Sequence, residues 1–176
     1  ERRAQPRDDL ISDLVTARID GEAALSDLEI MSTIVILIIG GSETTRSTLI
    51  SAMPRMLMNP DQLALLKFDP SLAPKAIEEI LRMDSPGAAL WRRAVREVEL
   101  GGVTVPEGGI VLVRIDSANR DETVFDDPER FDIRRDNERL HLAFGKGIHH
   151  CIGFRLAREQ LGRSIPVLLE RLRDLR

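Results

Sequence analysis

The sequence predicts a mainly α-helical fold with small antiparallel β-sheets. Apolar residues recur at helical spacing in several stretches, among them 10–15, 76–83 and 156–172. Between residues 91 and 113 the pattern changes to short apolar runs, separated by the turn-forming segments 101–102 and 106–109. Long helical patterns interrupted by one region of β-hairpins are typical of a helical protein that carries minor sheets.

Composition predicts a cytoplasmic globular protein. The net charge of −4 gives no argument for a nucleic-acid partner. A single cysteine excludes an internal disulfide and agrees with a reducing compartment. The longest apolar run, Ile34–Ile39, is too short to span a bilayer, so we expect no membrane partner. No signal peptide is visible, although residue 1 is Glu rather than Met.

Two helices are predicted before residue 54. The first covers Leu10 to Val15 and should end at residues 19–21. The second should begin at the capping box Ser26-Asp27-Leu28-Glu29. Because residues 30–39 are apolar almost all round, we expect this helix to be long and deeply buried. The glycines at 40–41 each cost about 1 kcal/mol in a helix, which suggests a need for space beside the backbone.

Prolines set the next boundaries. Pro54 predicts a kink or an early stop in the second helix. A short helix around 62–66 should follow Asn59-Pro60, and another over 76–83 should follow Pro74 and end before Ser85-Pro86. A last helix should follow residue 151, where Pro166 leaves its final turns open.

The only cysteine, Cys151, lies in a glycine-rich stretch that leads into the last helical pattern. The positive end of a helix dipole favours a thiolate, and glycines let the backbone approach a flat ligand closely. Such a thiolate suits a soft bond to a buried metal centre. A zinc site is disfavoured, since His149, His150 and Cys151 are consecutive and cannot converge on one tetrahedral ion. A small buried cysteine without function is the alternative.

This stretch resembles the proximal haem loop of the cytochromes P450, the haem-thiolate monooxygenases. The matching positions are Phe144, Gly145, Gly147, His149, Cys151 and Gly153. The resemblance implies that Cys151 is the axial ligand of haem b and that His149 contacts a haem propionate. It also implies that Arg92, in Arg92-Arg93-Ala94, pairs with a propionate, whereas an edge strand with solubilising charges is the alternative.

Two further motifs carry the resemblance. Residues 40–45, Gly-Gly-Ser-Glu-Thr-Thr, are similar to the family's distal-helix motif, which implies catalytic roles for Glu43 and Thr44 in proton delivery. The alternative is a threonine pair bonded to its own helix carbonyls. Glu79 and Arg82 match the family's Glu-x-x-Arg helix, and the resemblance adds Arg130 as the third member of a buried charge triad. An ordinary solvated ion pair is the alternative there.

The implied fold is the C-terminal part of the cytochrome P450 fold: a long distal helix, the Glu-x-x-Arg helix, a meander, the cysteine loop and a proximal helix. Residues 1–176 would form a single partial domain, the haem-binding C-terminal portion of a longer chain. We expect this portion alone to bind haem weakly, because much of the cover over the haem would be absent.

The implied function is insertion of one oxygen atom from O₂ into a small apolar organic substrate. Electrons would come from a ferredoxin or a similar donor with its NAD(P)H reductase. As a hypothesis, that donor docks on basic residues of the proximal side: Lys146, Arg155, Arg158 and Arg163. Alternatives are a non-oxygenating haem-thiolate sensing module, a cysteine hydrolase using Cys151, and a non-functional truncated remnant.

Overall fold

A computed structural model describes residues 1–136 and 138–172. Within them the chain is mostly helical, with antiparallel strand pairs, which confirms the predicted fold class. The helices are α1 Leu10–Thr16, α2 Asp27–Met58, α3 Pro60–Phe68, α4 Ala73–Met83, α5 Ile115–Ala118 and α6 Phe154–Arg171. Single turns of 3₁₀ helix lie at Pro70–Leu72, Glu138–Leu140 and Gly147–His149.

The strands form three two-stranded antiparallel pairs in the described residues. They are β1 Arg18–Ile19 with β2 Glu22–Ala23, β3 Ala89–Arg93 with β6 Ile110–Arg114, and β4 Val98–Leu100 with β5 Val103–Val105. In the β3–β6 pair Ala89 lies opposite Arg114 and Arg93 opposite Ile110. The β structure predicted between 91 and 113 is therefore confirmed. The β1–β2 hairpin was not predicted, and α1 ends at Thr16, before the expected residues 19–21.

The described chain divides into two compact units, residues 1–43 and 44–176, and α2 contributes residues to both. The first unit holds α1, the β1–β2 hairpin and the start of α2, and the second holds the remaining elements. The single partial domain over residues 1–176 stays a prediction.

The start of α2 follows the predicted capping box. The Glu29 carboxylate accepts from the Ser26 backbone N–H at 2.8 Å, and the Ser26 hydroxyl accepts from the Glu29 N–H at 3.3 Å. Of the kink or early stop predicted at Pro54, the early stop is wrong, because α2 continues to Met58, and the kink stays a prediction. Pro54 cannot bond the carbonyl of Ile50, but both residues are exposed, so water can satisfy that carbonyl. In the same way α6 continues through Pro166 to Arg171.

The expectation that α2 is deeply buried is also wrong for this chain. Only 6% of its most apolar stretch is buried, and the exposed side chains include Met31, Val35, Ile36, Ile38 and Ile39. Burial depends on what packs against a helix as well as on its own residues. By length and composition alone, α2 could cross a membrane, and among the described residues it alone passes that test. A core helix of a soluble protein passes it equally.

The hydrophobic core of the second unit surrounds α4. Eight consecutive residues of this helix, 76–83, are buried. They pack with Met56 of α2, Leu66 of α3, Phe131 and Ile133 of the following loop, and Leu161 of α6. Two carboxylates of α4 lie in this core, so the helix positions charged groups as well as apolar ones.

Candidate functional site

The cysteine loop is held by its own backbone. The N–H of Cys151 donates to the Phe144 carbonyl at 2.8 Å, which closes the stretch between them into a compact loop. Gly145 and Gly147 have φ of +68° and +76°, in the left-handed region that favours glycine. The loop thus needs both glycines that the sequence motif contains.

The sulfur lies at the entrance of α6. Cys151 is half-buried and stands two residues before Gly153, the N-cap residue of this helix. A Cβ added at Gly153 would lie 4.0 Å from the cysteine Sγ, in van der Waals contact with it. A glycine at this position therefore leaves the sulfur open toward the helix end.

The side chains around the sulfur suit a flat apolar cofactor. Ile148 and Ile152, on either side of the cysteine, are 97% and 90% exposed. Open space lies where a Cβ of Gly147 would stand, so the backbone there can be approached closely. Among the described residues, no group of three or more His, Cys, Asp or Glu side chains could share a metal ion. One soft sulfur between apolar side chains fits a haem.

Two residues implied as propionate contacts are exposed. Arg92 lies on β3, where its Nη1 donates to the Trp91 carbonyl at 2.8 Å. His149 closes the 3₁₀ turn that precedes the cysteine. Successive residues of a strand point to opposite faces of the sheet, so only one of Arg92 and Arg93 can point toward a cofactor on a given face. The propionate roles of Arg92 and His149 stay predictions.

The buried charge cluster contains a different third arginine from the one predicted. Glu79 and Arg82 have side chains that are 0% exposed and form two hydrogen bonds of 2.8 Å. Arg130 does not join them with its side chain, which is 58% exposed and lies 3.9 Å from Asp132. Instead the Nε of Arg135, a side chain only 9% exposed, lies 3.4 Å from Glu79 Oε1.

Arg130 contributes its backbone rather than its charge. Its carbonyl accepts from both Arg82 and Arg135, each at 3.1 Å. Arg82 also donates to the carbonyls of Asn119 and Pro128 at 2.8 Å. The cluster therefore ties the irregular segment between α5 and the cysteine loop to α4. The structural role expected for Glu79 and Arg82 agrees with this geometry.

One member of the basic surface proposed for a donor is already paired within the chain. Arg158 is held by Glu78, with Nε–Oε1 and Nη2–Oε2 distances of 2.5 and 2.8 Å. Its guanidinium lies 4.6 Å from the centre of the Phe144 ring. Arg163 is exposed and bonds Glu159 at 2.7 Å. Arg158 thus contributes to the packing of α6 against α4, and its role as a docking charge stays a prediction.

Glu43 and Thr44 are consecutive exposed residues of α2. The Thr44 carbonyl accepts from the hydroxyl of Thr48, one turn further on, at 2.9 Å. A Cβ at Gly41 would meet no atom within 4 Å, so the space expected beside the glycine pair is present there. The catalytic roles of Glu43 and Thr44 stay predictions.

Sequence reasoning did not identify three side chains that shape the site: Glu78, His141 and Arg135. Each acts across a long sequence separation, 63 residues in the case of Glu78 and His141. The burial of α4 on nearly every face, which only the structure shows, is what requires partners for the Glu78 carboxylate.

A half-buried sulfur, held in a glycine loop at the start of a helix within a mainly helical fold, is typical of proteins that bind a flat cofactor through one cysteine. Comparison with known proteins supports this class. The family model named Cytochrome P450 matches residues 71–173. Together with the relatives below, this match shows that the chain belongs to the cytochrome P450 family.

Relatives match almost the whole chain. The Steroid C26-monooxygenase of Mycobacterium tuberculosis (strain CDC 1551 / Oshkosh) is 46% identical over 99% of this chain. Cytochrome P450 107B1 of Saccharopolyspora erythraea is 45% identical over 100% of it. The solved structure of CYP109Q5 from Chondromyces apiculatus has a TM-score of 0.87 and 45% identity, covering 96% of this chain and 43% of that one. The chain spans 46% and 43% of the length of the first two relatives.

Proposed function

We propose that the protein to which this chain belongs is a haem-thiolate monooxygenase. It inserts one oxygen atom from O₂ into an organic substrate, with electrons from a redox partner. The observation that carries the proposal is the geometry of the Cys151 loop. Its half-buried sulfur lies between two isoleucines that are almost fully exposed and follows two glycines held at positive φ.

Named residues of this chain would hold the cofactor, haem b. Cys151 supplies the sulfur ligand, and Arg92 and His149 supply cationic or hydrogen-bonding groups for the carboxylates. When bound, the haem supplies the oxygen-activating chemistry, and a thiolate ligand favours O–O scission. The protein contributes position, an apolar environment and protons.

Glu43 and Thr44 are proposed to manage those protons. A threonine hydroxyl both donates and accepts a hydrogen bond, and a carboxyl group can pass a proton to it from solvent. Both side chains lie on the exposed side of α2, next to the glycines at 40–41. The Thr44→Ala variant should retain haem and substrate binding while releasing more of its reducing equivalents as peroxide.

The test of cofactor ligation is the spectrum of the reduced protein under carbon monoxide. A strongly red-shifted Soret band is expected for the wild-type protein, because thiolate donates more electron density than a neutral ligand. Cys151→Ser should abolish that band. A wild-type band at the position typical of a neutral ligand would refute the proposal.

The exposed apolar face of α2 is proposed to be covered by other parts of a longer polypeptide rather than by lipid. The relatives are about twice as long as this chain, which leaves ample sequence for such a cover. The protein would then be cytoplasmic. Residues 1–176 alone should bind haem weakly, so one tight haem for each 176-residue chain, with turnover, would contradict this.

The substrate is proposed to be a small apolar organic molecule. Part of the apolar face of α2 would line the substrate pocket beneath that cover, and one relative carries a steroid in its name. Candidate compounds can be tested by substrate-dependent NADPH consumption together with the gain of one oxygen atom by mass spectrometry. Consumption without an oxygenated product would favour a non-oxygenating role.

The electron donor is proposed to be an acidic protein such as a ferredoxin, docking near Lys146 and Arg155. Both residues are exposed and flank the cysteine loop in sequence. Replacing both with Glu should slow haem reduction at low salt, and added salt should narrow the difference because it screens surface charges. Equal reduction rates at low salt would remove this docking site.

A further inference from the structure

Three titratable side chains outside the predicted site form a buried cluster between α4 and α6. Glu78 of α4 accepts two hydrogen bonds from Arg158 of α6, at 2.5 and 2.8 Å. The same carboxylate lies 3.0 Å from Nε2 of His141, and the His141 side chain is buried. We call these three residues the Glu78 cluster.

The hydrogen bonds assign a role to each ring nitrogen of His141. Its Nδ1 accepts from the backbone N–H of Ala143 at 3.1 Å, so that nitrogen carries no proton. The other ring nitrogen, Nε2, is then the donor, and it donates to Glu78. The imidazole thus links a carboxylate of α4 to the backbone two residues further along the chain.

The Glu78 cluster reaches the cysteine loop by two routes. Through His141 it holds the N–H of Ala143, the residue before Phe144. Through Arg158 it holds the Phe144 ring, which the guanidinium faces at 4.6 Å. The Phe144 carbonyl in turn accepts the N–H of Cys151 at 2.8 Å. The backbone of Ala143 and the ring of Phe144 are thereby both linked to Glu78 of α4, and Phe144 holds Cys151.

We propose that Glu78, His141 and Arg158 are positioning residues for the sulfur of Cys151. By fixing residues 141–144, the cluster selects one conformation of the loop and keeps the sulfur where a haem iron can be bound. The contacts of these three residues lead to Ala143 and Phe144 and not to the sulfur itself. Each residue therefore acts on Cys151 through Phe144. The ligand role of Cys151 is that of the proposed function, on which this inference partly rests.

A need for such a device follows from the loop itself. Two of its residues are glycines at positive φ, and ordering glycine costs more conformational entropy than ordering other residues. The exposed isoleucines at 148 and 152 give the loop little packing within this chain. A charged, hydrogen-bonded cluster restricts geometry more closely than apolar packing, since its partners must meet at fixed distances and angles.

The test compares three variants in the holoprotein: Glu78→Gln, Arg158→Met and the control Arg163→Met. Arg163 lies on the same helix and also pairs with a glutamate, but its side chain is 81% exposed. The first readout is the rate at which the reduced, CO-bound protein converts to a form whose Soret band reports a neutral ligand. We expect Glu78→Gln and Arg158→Met to convert about tenfold faster to that form than wild type, as for loss of a buried hydrogen bond to a charge. Arg163→Met should match wild type.

The second readout needs no haem. In the apoprotein, the rate of alkylation of Cys151, followed by mass spectrometry of its peptide, should rise several-fold in both cluster variants. It should stay at the wild-type value in Arg163→Met. Measurements well below the unfolding temperature separate loop opening from global unfolding.

The two readouts separate the failure of this inference from that of the proposed function. A wild-type protein without the red-shifted band would refute haem-thiolate ligation, while alkylation would still test the cluster. Cluster variants that match the Arg163→Met control in both readouts would overturn the positioning role. If Glu78→Gln does not fold, His141→Asn keeps an acceptor for Ala143 N–H and removes only the link to Glu78. Its alkylation rate should lie between wild type and Arg158→Met, and a wild-type rate would overturn the role equally.

Discussion

The corrected charge cluster leads to a direct comparison of two arginines. Arg135→Ala removes the contact with the fully buried carboxylate of Glu79, along with bonds to the backbone carbonyls of residues 126, 127 and 130. The carbonyl bonds lie in exposed surroundings, where water replaces them at little cost. A hydrogen bond to a buried charge contributes about 1.5–3 kcal/mol, so we expect a loss of about 2 kcal/mol. The loss stays below the ~3–5 kcal/mol of a stranded charge because Arg82 still pairs with Glu79.

Arg130→Ala is the matched variant, since it removes the same charge five residues earlier. Its exposed ion pair with Asp132, at 3.9 Å, should contribute about 0–0.5 kcal/mol, and its carbonyl is retained. Urea unfolding followed by circular dichroism measures both free energies of unfolding, provided that the m-values agree. If Arg130→Ala costs as much as Arg135→Ala, the assignment of Arg135 to the cluster is refuted.

Three further changes test other features. Burial alone would raise the pKa of Glu78, but bonds from Arg158 and His141 lower it from 4.5 to about 2. A pKa lowered by folding contributes stability above about pH 4.5 that is lost as the pH falls toward 2. Glu78→Gln should therefore remove on the order of 2–3 kcal/mol of this pH-dependent stability. A free energy of unfolding with the same pH dependence as wild type would contradict this. Gly41→Ala should raise the free energy of unfolding by about 0.5–1 kcal/mol, because alanine favours a helix and open space surrounds that position. A lower melting temperature than wild type would show that the added methyl group meets a neighbouring atom. Ile152→Ser should change the stability of the apoprotein by less than about 0.5 kcal/mol, yet speed the loss of haem to a scavenging protein; a stability loss without faster haem release would assign Ile152 to the core instead.

Local signals predicted most of the secondary structure. The capping box at Ser26 and Glu29, and the prolines that begin α3 and α4, act within one turn, so they can be identified from the sequence. The β1–β2 hairpin could not, because two residues in each strand are too few for an alternating pattern. The burial of α2 could not either, since it depends on which segments cover the helix.

The third arginine shows the same limit within the site. Arg130, Arg134 and Arg135 all follow the segment 126–128, in a stretch without helical or strand periodicity. Spacing therefore gives no indication of which side chain turns inward. The pairing of Arg158 was missed for a related reason, because its partner Glu78 is 80 residues away and a basic residue on a predicted helix face is usually solvated.

Two consecutive carboxylates of α4 explain how one helix can control the whole segment before α6. Glu79 binds Arg82, Arg135 and the N–H of Asp132, and so fixes the stretch that precedes the cysteine loop. Glu78 binds the side chains of His141 and Arg158, and so fixes the loop itself and the helix that follows. Because both carboxylates are buried, each requires at least one cation, and neither set of partners can be released without a cost of several kcal/mol. The position of the sulfur is therefore set from α4 on both sides of the loop, which accounts for the burial of two adjacent acidic residues in a hydrophobic core.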